Sequence, residues 1–126
     1  MDKIVIRTTN APEPIGPYSQ AVLAGETLYI SGQICIDPVT NELRNKDVEE
    51  ETRQVMQNLK GILLAAGTGF NNVVKTTIFL TDMKQFSLVN DIYNTYFEGD
   101  YPARETVQVA ALPKFVNVEI SMIAIK

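Results

Sequence analysis

The 126-residue chain has no histidine and no tryptophan, and Cys35 is its only cysteine. Without histidine, serine–histidine and cysteine–histidine nucleophiles are unavailable, as are metal motifs built on histidine pairs. A lone cysteine excludes a disulfide within the chain and leaves too few soft ligands for zinc, so no metal is expected. There is no Walker loop and no GxGxxG run, hence no sequence support for a phosphate cradle. No apolar run reaches bilayer length, so no membrane partner is expected. Basic residues are in deficit, with 11 Lys and Arg against 15 Asp and Glu and a net charge of −4. A surface built for nucleic acid carries the opposite balance. No segment reads as a secretory leader, and the single cysteine fits a reduced, cytoplasmic setting. Any acid–base chemistry must rest on Asp, Glu, Lys, Tyr, backbone groups or water.

What is present suffices for one packed domain spanning 1–126. Hydrophobic residues make up 45% of the chain and charged residues 21%, and no linker, repeat or low-complexity tract interrupts it. Ile4 to Arg7 reads as a short strand, followed by an irregular proline-containing stretch from Asn10 to Gly16. Gln20 to Ala24 and Thr27 to Ile34 form a hairpin around Gly25 and Glu26. Ser31 and Gly32 break the second strand's apolar run, which marks a bulge or a close approach to the backbone. Asp47 is a helix N-cap with Glu50 three residues on, and Gly67 is the matching stop. Val48, Thr52, Val55, Met56, Leu59, Ile62, Leu63 and Ala66 recur at helical spacing between them. Val73 to Thr81 is a strand. Asp82 with Gln85 has capping-box spacing for a second helix, whose inner face is Phe86, Val89, Tyr93 and Phe97. A strand carrying Arg104 and a last strand over Val116 to Ile125 complete a β-β-β-α-β-α-β-β order. Two helices cover only one face of such a sheet, yet Val118, Ile120 and Met122 alternate with Ile123 and Ile125. An apolar face left over predicts a homo-oligomer.

Two charged residues stand out. Arg104 lies in the neutral, apolar run from Pro102 to Lys114, on the same strand face as Thr106 and Gln108. Glu119 sits between Val118 and Ile120, so it is either paired or has a raised pKa. Arg104 lies on the preceding strand, which leaves two readings open. One is a direct Arg104–Glu119 ion pair that stabilises the sheet. The other is a cleft in which Arg104 grips a carboxylate and Glu119 handles a water.

Five motifs then stand in order along nearly the whole chain: IGPYSQA from Ile15, SGQI from Ser31, PAR from Pro102, VQVAALPK from Val107 and VEI from Val118. Together they resemble the RidA/YjgF family, whose members are also labelled L-PSP endoribonucleases. The resemblance implies a chorismate-mutase-like α+β fold with two helices on one face of a mixed sheet, and a homotrimer with ligand sites in clefts between subunits. It also implies hydrolysis of enamine and imine intermediates such as 2-aminoacrylate and 2-aminocrotonate to 2-oxo acids and ammonia, with no cofactor. By the same resemblance Arg104 grips the substrate carboxylate and Glu119 positions the attacking water. Tyr18, Ser31, Gly32 and Asn90 line the cleft, and the backbone near Thr106 holds the water. Thr106 stands where many members carry cysteine, and Ser121 where another glutamate is common. Cys35 is expected to be a packed, inert thiol. Two other readings accompany this one: a non-catalytic sensor of 2-oxo acids in the same cleft, and the endoribonuclease or translation inhibitor of the family label. The acidic balance and missing histidine argue against the latter.

Overall fold

A computed structural model describes residues 2–126. Six strands form one sheet in the order β1-β2-β3-β6-β4-β5: β1 (Lys3–Ile6), β2 (Ala21–Ala24), β3 (Thr27–Gln33), β4 (Val73–Leu80), β5 (Ala103–Gln108) and β6 (Val118–Ile125). All neighbours pair antiparallel except β4 and β5, which run parallel. Helices α1 (Val48–Ala65) and α2 (Phe86–Asn94) cover one face. α2 is the crossover between β4 and β5, the connection a parallel pair requires.

The caps explain why these segments are helical. Asp47 accepts from Glu50 N at 2.8 Å, and Glu50 Oε1 accepts from Lys46 N at 3.1 Å. Three glutamates in the first turn favour the positive end of the helix dipole. Gly67, at φ +80°, takes the left-handed conformation that ends the helix. Along α1, Val55, Met56, Leu59, Ile62 and Leu63 are fully buried. They meet Leu28 and Ile30 of β3, Ile78 and Leu80 of β4, and Val118, Ile120, Met122 and Ala124 of β6.

The expected element order is found, with strands β1 to β4 shifted by one residue at one or both ends and further adjustments around α2, β5 and β6. Asp82 accepts from Lys84 N rather than Gln85 N, and a 3-10 turn over Met83–Gln85 precedes α2. The Gln85 capping box is therefore not made. β5 ends at Gln108. β6 starts at Val118, not Val116, because Lys114 and Phe115 both take positive φ in a 3-10 turn, a conformation no strand continues through.

The other face of the sheet is open. Along it run Val22, Tyr29 and Ile123 as successive cross-strand partners, and Phe79 beside Val107. Tyr29 is 51% exposed and Val107 41%. The unpaired apolar face expected from the pattern is present. β5 is an edge strand, so one side of its backbone is also unpaired.

Candidate functional site

Arg104 leans over α2. Its guanidinium carbon lies 5.1 Å from the Tyr93 ring centroid and 5.6 Å from that of Phe86. Both contacts lie within cation–π reach. The Tyr93 hydroxyl donates to Thr76 Oγ1 at 2.9 Å, and Thr76 is the β4 partner of Arg104. Burial pushes the Tyr93 phenol up, so the ring stays a neutral platform. Among the described residues Arg104 makes no ion pair; the two present are Arg44–Asp37 and Lys75–Glu105. A cavity of about 550 Å³ opens beside it, lined by Asn90, Tyr93, Asn94, Tyr101, Pro102 and Arg104. Thr106 follows on the same strand face, its buried hydroxyl without a partner among the described residues.

Glu119 belongs to the opposite face. It is paired in register with Phe79 of β4, and its flanking residues Val118 and Ile120 point into the helix-covered core. Its carboxylate lies over Gly32. The β3–β6 register slips between Ile30 and Gln33, which is the bulge expected at Ser31 and Gly32. A Cβ on Gly32 would meet the Glu119 carboxylate, with Cδ only 2.8 Å away. The glycine is therefore required by the close approach of a side chain, not by its backbone angles. The Glu119 carboxylate has no hydrogen-bond partner among the described residues, and desolvation raises its pKa above the usual carboxylate value.

Tyr18 and Ser31 extend this second group. The Ser31 hydroxyl donates to Ser19 O, and Ser31 N donates to Gln20 O at 3.0 Å. These bonds tie the bulge to the loop that carries Tyr18. Pro17 is the central residue of a tight turn closed by Tyr18 N donating to Gly16 O at 2.9 Å. The Tyr18 hydroxyl accepts from Ile15 N at 3.2 Å, and its ring is 47% exposed. The loop is held by the buried amide of Gln20. Its Nε2 donates to Thr8 O, Ala11 O and Pro12 O, and its Oε1 accepts from Thr8 N.

The named residues thus fall into two groups within one protomer. Arg104, Asn90 and Thr106 sit on the helix side at the β5 edge, and Glu119, Gly32, Ser31 and Tyr18 are reached from the open side. The cavity beside Arg104 does not include Glu119 in its lining. The direct Arg104–Glu119 ion pair is absent. β5 precedes β6 in sequence, but β4 lies between them in the sheet, and the two side chains leave opposite faces. The sequence carries no expectation for Asn94 and Tyr101, and for Tyr93 only a place in the core. Tyr93 was assigned to the core face of its helix; it serves both the core and Arg104. The tyrosine hydroxyl of Tyr101 donates to Asn94 Oδ1. The signal for this pair was faint: asparagines at 90 and 94, one helical turn apart, and an aromatic residue just before PAR. Cys35 is fully buried, and burial, followed by the nearby Glu51 charge, pushes its thiol up to about 12. It is packed, as expected, and a thiol raised in this way is a poor nucleophile. Among the described residues no His, Cys, Asp and Glu group is arranged to hold a metal, and no helix is long and apolar enough to cross a membrane.

Residues 8–126 match the family model described as Endoribonuclease L-PSP. A mouse protein named 2-iminobutanoate/2-iminopropanoate deaminase is 56% identical over 97% of this chain and 90% of its own length. Among solved structures, a conserved Rid-family protein of unknown function from Yersinia pestis superposes with a TM-score of 0.97 at 53% identity, covering 99% of this chain and 100% of that one. The E. coli protein TdcF, crystallised with bound serine, superposes at 0.94 with 40% identity over 98% of each chain. The two helices over one face of a mixed sheet, the five motifs in order and the family match along nearly the whole length place this chain in the RidA/YjgF family.

Proposed function

We propose that the protein is a 2-iminobutanoate/2-iminopropanoate deaminase, hydrolysing reactive enamine and imine acids to 2-oxo acids and ammonia. The observation that carries this reading is Arg104: a guanidinium held on two aromatic rings, facing a cavity, with no carboxylate of its own protomer to neutralise it. Such a cation suits a small organic anion, and its planar fork suits a carboxylate held by two bonds. The mouse relative's name supplies the substrate class. The serine bound to E. coli TdcF is itself a small carboxylate.

The chemistry needs two functions, and the two residue groups provide one each. Arg104 fixes the substrate carboxylate and so presents the imine carbon. The enamine tautomerises to the imine; water then adds to that carbon as Glu119 takes its proton. The carbinolamine then collapses: Glu119 returns the proton to nitrogen, the hydroxyl proton follows through the same carboxylate as the C=O bond forms, and the C–N bond breaks to release ammonia. The raised pKa of Glu119 suits a group that must both accept and return a proton. Because Arg104 and Glu119 leave opposite faces of one sheet, the complete site forms between copies of the chain. The apolar open face and the exposed β5 edge are surfaces through which such copies would join, as a homotrimer with three shared clefts.

A coupled assay tests this. A pyridoxal-phosphate dehydratase acting on threonine or serine releases the imine acid, and 2-oxo acid formation is followed with and without the protein. Acceleration that disappears in Arg104→Ala is expected. Binding of 2-oxobutanoate without acceleration would point to a sensor instead, and RNA cleavage by nuclease-free protein to the family's older label.

A further inference from the structure

The proposed mechanism makes no use of Glu51, yet this α1 carboxylate is fully buried and has no cation partner among the described residues. A buried carboxylate is costly unless N–H groups satisfy it. Glu51 Oε1 accepts from Asn117 N at 2.6 Å and from Val118 N at 2.8 Å, and Oε2 accepts from Asn117 Nδ2 at 3.1 Å. The need for it is local. β3 pairs with β6 only as far as Gln33 opposite Ile120. The backbone at 117 and 118 therefore lies beyond the end of its neighbouring strand, and Glu51 supplies the missing acceptor. On the other flank Thr81 N donates to Asn117 O at 3.1 Å and Thr81 Oγ1 to Asn117 Oδ1 at 3.2 Å. The two residues before Glu119 are thus clamped from both sides.

We propose that Glu51 is a positioning residue: by fixing the backbone at Asn117 and Val118 it holds the Glu119 carboxylate over Gly32 on the far face of the sheet. Its catalytic meaning rests on the deaminase reading; its geometric meaning does not. Successive strand residues point to opposite faces, so a shift at Val118 carries Glu119 with it. The ionisable groups on the open face are Lys3 of β1, Tyr29 of β3, Lys75 of β4 and Glu105 of β5, with Tyr18 in the loop beside Gly32; Lys75 and Glu105 are bonded to each other at 3.2 Å, and it is desolvation that raises Glu119.

The test is a carbon-detected NMR titration of Glu119 in the full protein and in Glu51→Asp, Glu51→Gln and Leu59→Ala. Leu59→Ala is a control that loosens the same helix from within the core. In Glu51→Gln the amide oxygen retains both backbone donors, so Glu119 should titrate as in the parent. Glu51→Asp is one methylene short of reaching both, so Glu119 should titrate lower, towards an ordinary glutamate. Where imine hydrolysis is active, Glu51→Asp should lower kcat about tenfold to a hundredfold. KM should stay nearly constant, because the arginine half of the site stands on other elements, and the acidic limb of the rate profile should move with Glu119. Should Glu51→Asp fail to fold, Asn117→Ala removes the side-chain contacts on both flanks and should give a smaller shift in the same direction. An unchanged Glu119 titration in Glu51→Asp or Asn117→Ala, or an equal shift in Leu59→Ala, would show Glu51 to be only a fastener of helix to sheet. A parent protein that hydrolyses no imine would overturn the deaminase reading, while the titration would still decide the role of Glu51.

Discussion

At the scale of single residues, the chemistry turns on one cation without an ion-pair partner among the described residues and one partly desolvated carboxylate. Arg104→Lys keeps the charge but loses the planar fork and much of the fit over Tyr93 and Phe86. The loss of a charge-assisted bond is worth about 1.5–3 kcal/mol, so kcat/KM should fall roughly tenfold to a hundredfold, and further in Arg104→Ala. Steady-state kinetics in the coupled assay would measure it. Glu119→Gln removes the proposed base and should lower kcat by about 10² to 10⁴. The same change should stabilise the fold. Glu119 has a raised pKa in the folded protein, so its stabilising contribution is present in acid and lost as pH rises through that value. Glu119→Gln should therefore melt above the parent at neutral pH, with the gap closing in acid, as read by thermal denaturation across pH. In the parent the rate should fall on acidification at a pH above the ordinary glutamate range, because the base must be unprotonated.

At the scale of elements, the β3 bulge is the most specific structural device. Gly32→Ala would place a methyl group where the Glu119 carboxylate lies. It should displace that carboxylate and cut kcat while leaving the circular dichroism spectrum native, since the neighbouring atoms belong to a side chain that can swing away. Much of this level was legible in the sequence. Asp47 and Gly67 bound α1, and the interrupted run at Ser31 and Gly32 signals a bulge or a close approach, of which the fold has both. What was not legible depends on contacts between distant segments. Glu51 reads as one of three acids in a helix's first turn, and only the sheet shows that it faces inward to Asn117 and Val118. Gln20 reads as an ordinary strand residue, and only the folded loop shows its amide bonded to Thr8, Ala11 and Pro12. The neighbourhood of Arg104 and Glu119 was misleading for a related reason. Consecutive strands are usually adjacent, but the α2 crossover carries β5 to the far side of β4.

At the scale of the whole molecule, one sheet face is covered by helices and the other is apolar and bare. Replacing Ile123, the central partner of Tyr29 on that face, with aspartate should leave the proposed trimer as monomers in analytical ultracentrifugation. Activity should be lost with it, although Arg104 and Glu119 are both untouched. The most direct measurement is subunit complementation. Arg104→Ala and Glu119→Gln, each expected to be inactive alone, are co-expressed and purified as mixed assemblies. If each cleft takes its arginine from one copy and its glutamate from the next, random mixing restores about a quarter of the parent's sites. Mixed assemblies as inactive as either variant alone would contradict a site shared between copies.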